Sequence, residues 1–293
     1  MRSKQRPIGL LLVVVLLLSA CGTGGVVGPP DSTPDSTPDS TPDSTPDSTP
    51  ESPSGDPLLQ IHSEGGFVPI EWNLGNGPTF TVTNGGEFVF PGITTLEYPG
   101  RLVPAYFSGQ LDENEMARIN ELLTAMGIAE IDEEHDDSLD NVADASTEVI
   151  RFWDETGVHR YSVYALGMSD NPASDATAAF ADLVDYLHEL SGTVESADYQ
   201  PERVRVVAGT YQGGFDSEFE RVEDWPLEGE NPGDWDTFTT VGEDKWTCKA
   251  FDSSTLEVFA DARQTTIYTH PEDGGQVQLL VRPLHPGEED CTL

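Results

Sequence analysis

From Asp31 to Pro50 the tetrapeptide Asp-Ser-Thr-Pro repeats five times without interruption, then decays into Glu51-Ser52-Pro53-Ser54. A proline at every fourth position removes backbone donors that a helix or a strand ladder requires. The repeats also carry no apolar side chain whose burial would offset the entropy of ordering. Residues 21–57 therefore read as a disordered, extended, Pro-rich spacer, and whatever folds must lie beyond it. At ~3.1 Å per residue the repeats alone span ~60 Å. The Gly22-Thr23-Gly24 run follows no strand and reads as linker, not as a phosphate loop.

The residues before the spacer carry an address. Arg2, Lys4 and Arg6 make a cationic start, and Ile8 to Leu18 make an apolar core. That core is shorter than the ~20 residues a spanning helix needs, and it has the length of a signal-peptide core. Leu18-Ser19-Ala20-Cys21 follows directly and resembles the bacterial lipobox. The resemblance implies that residues 1–20 are removed, that Cys21 is acylated, and that the chain is held to the outer face of the cell membrane by its lipid, with residues 21–57 as tether. Two acyl chains meet the requirement for stable anchoring, where one gives marginal binding.

Cysteine arithmetic agrees with that expectation. The chain has three cysteines, and an exported protein with an odd number leaves one unpaired. With Cys21 acylated, Cys248 and Cys291 are left to form a disulfide in an oxidising compartment.

Charge restricts the partners. The chain has 14 basic and 53 acidic residues, a net −39. Three of the basic and seven of the acidic residues precede Leu58, so the segment 58–293 retains about −35. Such a field repels nucleic acid and anionic headgroups, and phosphate-backbone binding needs the opposite sign. The expectation is no nucleic acid, and a membrane reached only through Cys21. The run Asp132-Glu133-Glu134-His135-Asp136-Asp137 suggests cation capture, calcium above all, through Asp132, Glu133, Glu134, Asp136 and Asp137. It lacks the alternating Asp/Asn positions, central Gly and closing Glu of a calcium loop, and a solvated or salt-adapted acidic surface is the favoured reading.

Beyond the tether the pattern predicts an α+β fold in two apposed units, 58–198 and 199–293. In the first, Thr79 to Thr83 and Glu87 to Phe90 flank Asn84-Gly85-Gly86, a hairpin signal. Asp112 and Glu115 then form an Asp-led capping box, followed by Met116, Ile119, Leu122, Leu123 and Met126 at helical spacing and a Gly127 stop. Glu148 to Trp153 and Val158 to Leu166 make a second hairpin across Asp154 to Gly157. A second helix opens at Asn171-Pro172 or Ser174, buries Phe180, Leu183, Leu187 and Leu190, and stops at Gly192. Antiparallel hairpins each followed by an amphipathic helix predict helices on one face of a sheet.

The second unit reads as a smaller β-α-β-β arrangement stapled by Cys248–Cys291. Its strands are Glu202 to Val207, Lys245 to Phe251, Gln264 to Thr269 and Gln276 to Arg282. Ser254-Thr255-Leu256-Glu257 predicts a capped short helix through Arg263, and 212–244 reads as an acidic, aromatic-rich loop. The hairpin at Asn84-Gly85-Gly86, the strand Tyr161 to Gly167, and Arg282-Pro283-Leu284 with Glu288 and Cys291 resemble uncharacterised cell-envelope lipoproteins of high-GC Gram-positive bacteria. That resemblance implies a compartment and no activity.

Catalytic motifs do not emerge. There is no Gly-x-Ser-x-Gly elbow, and His188-Glu189 lacks a second histidine at metalloprotease spacing. The catalytic set is therefore empty and no cofactor is implied beyond a possible calcium ion. Phe215, Phe219, Trp225 and Trp235 lie among acids and glycines. Aromatics of this kind are enriched at binding surfaces, or form a satellite cluster pinning a long loop. The leading expectation is a non-catalytic binding module of the cell envelope, meeting an envelope protein or wall component. The alternatives are a cation-binding acidic domain and an uncharacterised hydrolase.

Overall fold

The Asn84-Gly85 signal resolves as expected. In the computed structural model, which describes residues 55–92, 97–130, 134–136, 143–168, 172, 174–213, 218–241 and 244–292, β2 (Phe80–Thr83) turns back on β3 (Glu87–Pro91) as an antiparallel pair. Gly86 follows the turn at φ +83°, a conformation that glycine reaches without a Cβ penalty. Cys21 and the expected tether as far as Ser54 lie outside the described residues, whereas Pro57, read from sequence as the end of the tether, already opens a strand. Those that are described belong to one compact unit and include no helix long and apolar enough to cross a membrane.

Around this hairpin grows an eight-stranded sheet, mostly antiparallel. Besides β2 and β3 it contains β1 (Pro57–Gly65), β4 (Tyr106–Gln110), β5 (Glu134–Asp136), β6 (Ser146–Asp154), β7 (Gly157–Tyr164) and β8 (Ser196–Asp198). The order is β5-β7-β6-β1-β2-β3-β4-β8. β6 and β7 form the second expected hairpin, with Asp154 opposite Gly157. β4 carries weak strand signals, Ser108 and Gly109, and its small size has a use. A Cβ at Gly109 would lie 2.7 Å from the Glu195 carbonyl, so only glycine lets β8 dock there.

Three helices complete this part. α1 (Ile70–Gly75) is short, starts at Pro69 without a side-chain cap, and went unmarked by periodicity. α2 (Glu113–Met126) has the Asp112/Glu115 capping box and ends at Gly127 in the left-handed region, as its sequence predicts. α3 (Asp175–Thr193) is capped by Ser174 and runs one residue past Gly192, closing through the Val194 N–H on the Leu190 carbonyl. The apolar stripes of α2 and α3 bury Ile119, Leu123, Phe180 and Leu187 against Leu59, Ile61, Phe80 and Ile150. A cap of this kind contributes ~1 kcal/mol, and burial of the stripes does the rest.

The second sheet is six-stranded: β9 (Arg203–Thr210), β10 (Arg221–Glu223), β11 (Asp236–Val241), β12 (Asp244–Asp252), β13 (Thr266–Thr269) and β14 (Gln276–Pro283), in the order β10-β13-β14-β9-β12-β11. Cys248 and Cys291 are joined, tying the C-terminal segment to β12. Two expectations change here. The supposed loop 212–244 contributes both edge strands, with β11 built on Thr237, Thr239 and Thr240, β-branched residues masked by acidic neighbours. The capped helix at Ser254 is a 3-10 helix, Ser253–Phe259, without a side-chain cap. The Ser253 amide donates to the Glu202 carbonyl, which fixes the start one residue early.

Candidate functional site

Side chains alternate across a strand, so register assigns faces. On the first sheet, Ile61, Ile150 and Tyr161 point at the helices. The other face carries His62 on β1 and Arg151 on β6, which stands directly opposite Arg160 on β7. On the second sheet Val204, Val206 and Val281 enter one core. The opposite face carries Arg205 on β9, directly across from Arg282 on β14.

Both arginine pairs line a single cleft of about 430 Å³, joined by His62, Asn73 and Leu74. Like charges facing each other across strands destabilise a sheet. Two such pairs converging on one space, in a chain with only 14 basic residues, are a local violation of the kind that marks functional sites.

Each guanidinium is held differently. Arg282 is 3% exposed and donates through Nη1 and Nη2 to the two carboxylate oxygens of Glu288, both at 2.7 Å. Burial opposes the charge on Glu288, but Arg282 overcomes it and holds that carboxyl at about 2. Arg205 donates from Nε to the Asp290 carbonyl and from Nη2 to the Glu289 carbonyl, at 2.8 and 2.9 Å. Burial, then the neighbouring Arg282 charge, lowers Arg205 to about 10, so it stays cationic at neutral pH. Arg160 pairs with Glu64 at 3.2 Å. Arg151 makes no hydrogen bond or ion pair among the described residues, and its fork is unspent.

Burial, reinforced by Arg151, lowers His62 to about 4, so its ring is neutral in the cleft. Its Nε2, the Arg282 Nε and the Asn73 Oδ1 are buried without a hydrogen-bond partner. Buried polar atoms ordinarily find partners, and three without one lie at residues lining this cleft.

The segment 284–292 forms one wall. Tyr199 Oη donates to the Leu284 carbonyl at 2.9 Å and Gln60 Nε2 to the Pro286 carbonyl at 2.8 Å. His285 Nδ1 lies 2.9 Å from Thr81 Oγ1. Arg203 pairs with Asp290, and the disulfide closes the far end.

The residues singled out from sequence lie elsewhere. Trp235 is 6% exposed, with its ring centroid 6.0 Å from that of Trp225 and 5.6 Å from that of Phe251. Its Nε1 donates to Glu230 at 3.1 Å. Trp235 belongs to the second core, and Trp225, half-buried, packs against it. Phe219 stacks edge-on against Tyr98, and Phe215 is outside the described residues. Asp132, Glu133 and Asp137 are also outside them, while Glu134 and Asp136 are described only as backbone of β5. Among the described residues no group of three or more His, Cys, Asp or Glu side chains is placed to hold a metal ion.

Sequence reasoning missed the cleft. One half was within reach, since a hairpin with Asp154 opposite Gly157 places Arg151 opposite Arg160 by counting. The Arg205–Arg282 pair depends on strands 77 positions apart in sequence, and no local signal announces it.

The chain matches no family model, no curated protein and no solved structure.

Proposed function

We propose that this chain is a membrane-tethered extracytoplasmic lipoprotein, and that it serves the cell envelope as a non-catalytic binding module whose site is the arginine cleft. In this reading residues 1–20 are the signal peptide, Cys21 carries the lipid, and the Asp-Ser-Thr-Pro repeats hold the folded part clear of the bilayer. On this reading the units 58–198 and 199–293 each hold one of the two sheets, and residues of both sheets line the cleft.

The observation that carries the reading is the alignment of two cross-strand arginine pairs on one cavity in a strongly acidic chain. A cleft of this size lies within the ~300–1,000 Å³ typical of small-molecule sites. Binding is favoured over reaction because the lining groups are donors fixed by structural partners. Arg205 is held on backbone carbonyls and Arg282 on Glu288. The neutral ring of His62 meets no nucleophile among the described residues.

Two measurements test this. Intact mass of membrane-extracted protein should give a chain beginning at a diacylated Cys21; an unprocessed chain from the cytosol overturns the anchoring. Mass spectrometry of small molecules released on denaturation should find a species that accompanies the wild type and is lost from Arg151→Glu. Equal recovery from both, or none from either, overturns the cleft as binding site.

A further inference from the structure

We infer that the cleft takes a small organic carboxylate, bound as a monoanion on the free guanidinium of Arg151 with a hydroxyl or amide group of the same molecule against Asn73; this rests on the cleft being the chain's binding site.

Charge balance selects the anion. Four guanidinium groups line the cleft, from Arg151, Arg160, Arg205 and Arg282, against the carboxylates of Glu64, Glu288 and Glu289. With His62 neutral, the lining carries one excess positive charge, and one carboxylate cancels it. A phosphate dianion would leave an uncompensated negative charge inside a chain whose folded part is already near −35, and buried unpaired charge is strongly unfavourable.

Donor geometry agrees. The unspent donors are the whole Arg151 fork and the Arg205 Nη1, which has no hydrogen bond among the described residues; the Arg282 Nε is also unpartnered but is fully enclosed. A planar carboxylate accepts a two-pronged bond from one guanidinium and further N–H donors on its remaining lone pairs. Arg160 is less available, being already paired with Glu64.

The rest of the cavity describes the body of the guest. About 430 Å³ is far more than an inorganic oxyanion fills. Away from the arginines the lining is Ser63, Asn73, Leu74, Asn76 and Gly77, uncharged and mixed in polarity. Asn73 lines this wall with its Oδ1 unpartnered, and the polar group of the guest sits against this side chain. Gly77 lets this wall pack closely on Arg282, because a Cβ in its place would lie 3.0 Å from both the Arg282 Nη1 and the Tyr106 Oη.

The test uses the full chain in detergent, with sodium acetate, lactate, gluconate and phosphate each compared with sodium chloride at matched ionic strength. By mass action on the folded state, lactate and gluconate should raise the melting temperature by a few degrees at roughly tens of millimolar, with acetate weaker and phosphate no better than chloride. Arg151→Gln should abolish the shift while leaving the melting temperature in chloride unchanged or higher, since a like-charge pair is relieved. Arg151→Lys should weaken binding roughly tenfold, retaining charge and losing the two-pronged geometry. Phosphate outperforming every carboxylate overturns the ligand class while the released-molecule experiment still speaks for the cleft. No anion exceeding chloride likewise overturns the carboxylate, and a shift that survives Arg151→Gln overturns its seat.

Discussion

Arg282 and Glu288 face each other six residues apart across the bend where β14 leaves the second sheet, joined by two bonds of 2.7 Å with side chains 3% and 7% exposed. Glu288 also accepts the His285 amide at 2.9 Å, so one carboxylate organises both the arginine and the start of the C-terminal wall. Breaking a buried pair by deleting one partner leaves the other charge uncompensated and costs about 3–5 kcal/mol. Glu288→Ala should lose that much in urea denaturation. A loss below about 1 kcal/mol would show that Arg282 finds water or another acceptor without cost.

The disulfide joins cysteines 43 positions apart in sequence, and removing such a crosslink costs about 2–4 kcal/mol. The double variant Cys248→Ala, Cys291→Ala should melt correspondingly lower and bind the cleft ligand more weakly, because Glu289 and Asp290 position Arg205 through their carbonyls. Unaltered affinity in the folded variant would show that the wall holds itself.

Glu87 predicts a pH dependence. It is 3% exposed, neither carboxylate oxygen has a partner, and burial raises it to about 7 from an ordinary 4.5. The folded chain thus binds this proton more tightly than the unfolded chain. Its stabilising effect is complete below 4.5 and is lost as pH rises through about 7. Glu87→Gln keeps the neutral shape, so its advantage over wild type should grow between pH 5 and pH 8 in chemical denaturation. Parallel pH profiles for the two proteins would refute this.

Trp235→Ala should cost about 3–5 kcal/mol, the usual range for truncating a buried tryptophan, because its ring packs between Trp225 and Phe251. Near-native melting of that variant would instead place the ring outside the core.

Where sequence carried the fold, the signals were local and chemically specific. Asn84-Gly85, the Asp112/Glu115 box, Gly127 and Ser174 each satisfy backbone groups within a few residues, and each sits where its chemistry predicts. What escaped depended on distant partners. β4 earns its place through Gly109 beneath Glu195, and β10 through parallel pairing with β13. The aromatic residues 225 and 235 could be read from the chain either as a binding surface or as a satellite cluster pinning a long loop, because acidic neighbours surround them; in the structure they pack on the second core. The cleft was hidden for the same reason, its arginines being scattered singly through an acidic sequence.

The wall formed by 284–292 crosses from one sheet to the other without being a strand of either. It is clamped by an ion pair at one end and by sulfur at the other. Both sheets would keep their ladders if it swung away, yet Arg205 would lose its carbonyl supports and the cavity one side. One short irregular segment therefore fastens two separate ladders to each other, and it does so by two unlike means, a buried ion pair and a covalent sulfur link, so that losing either one leaves the other still holding.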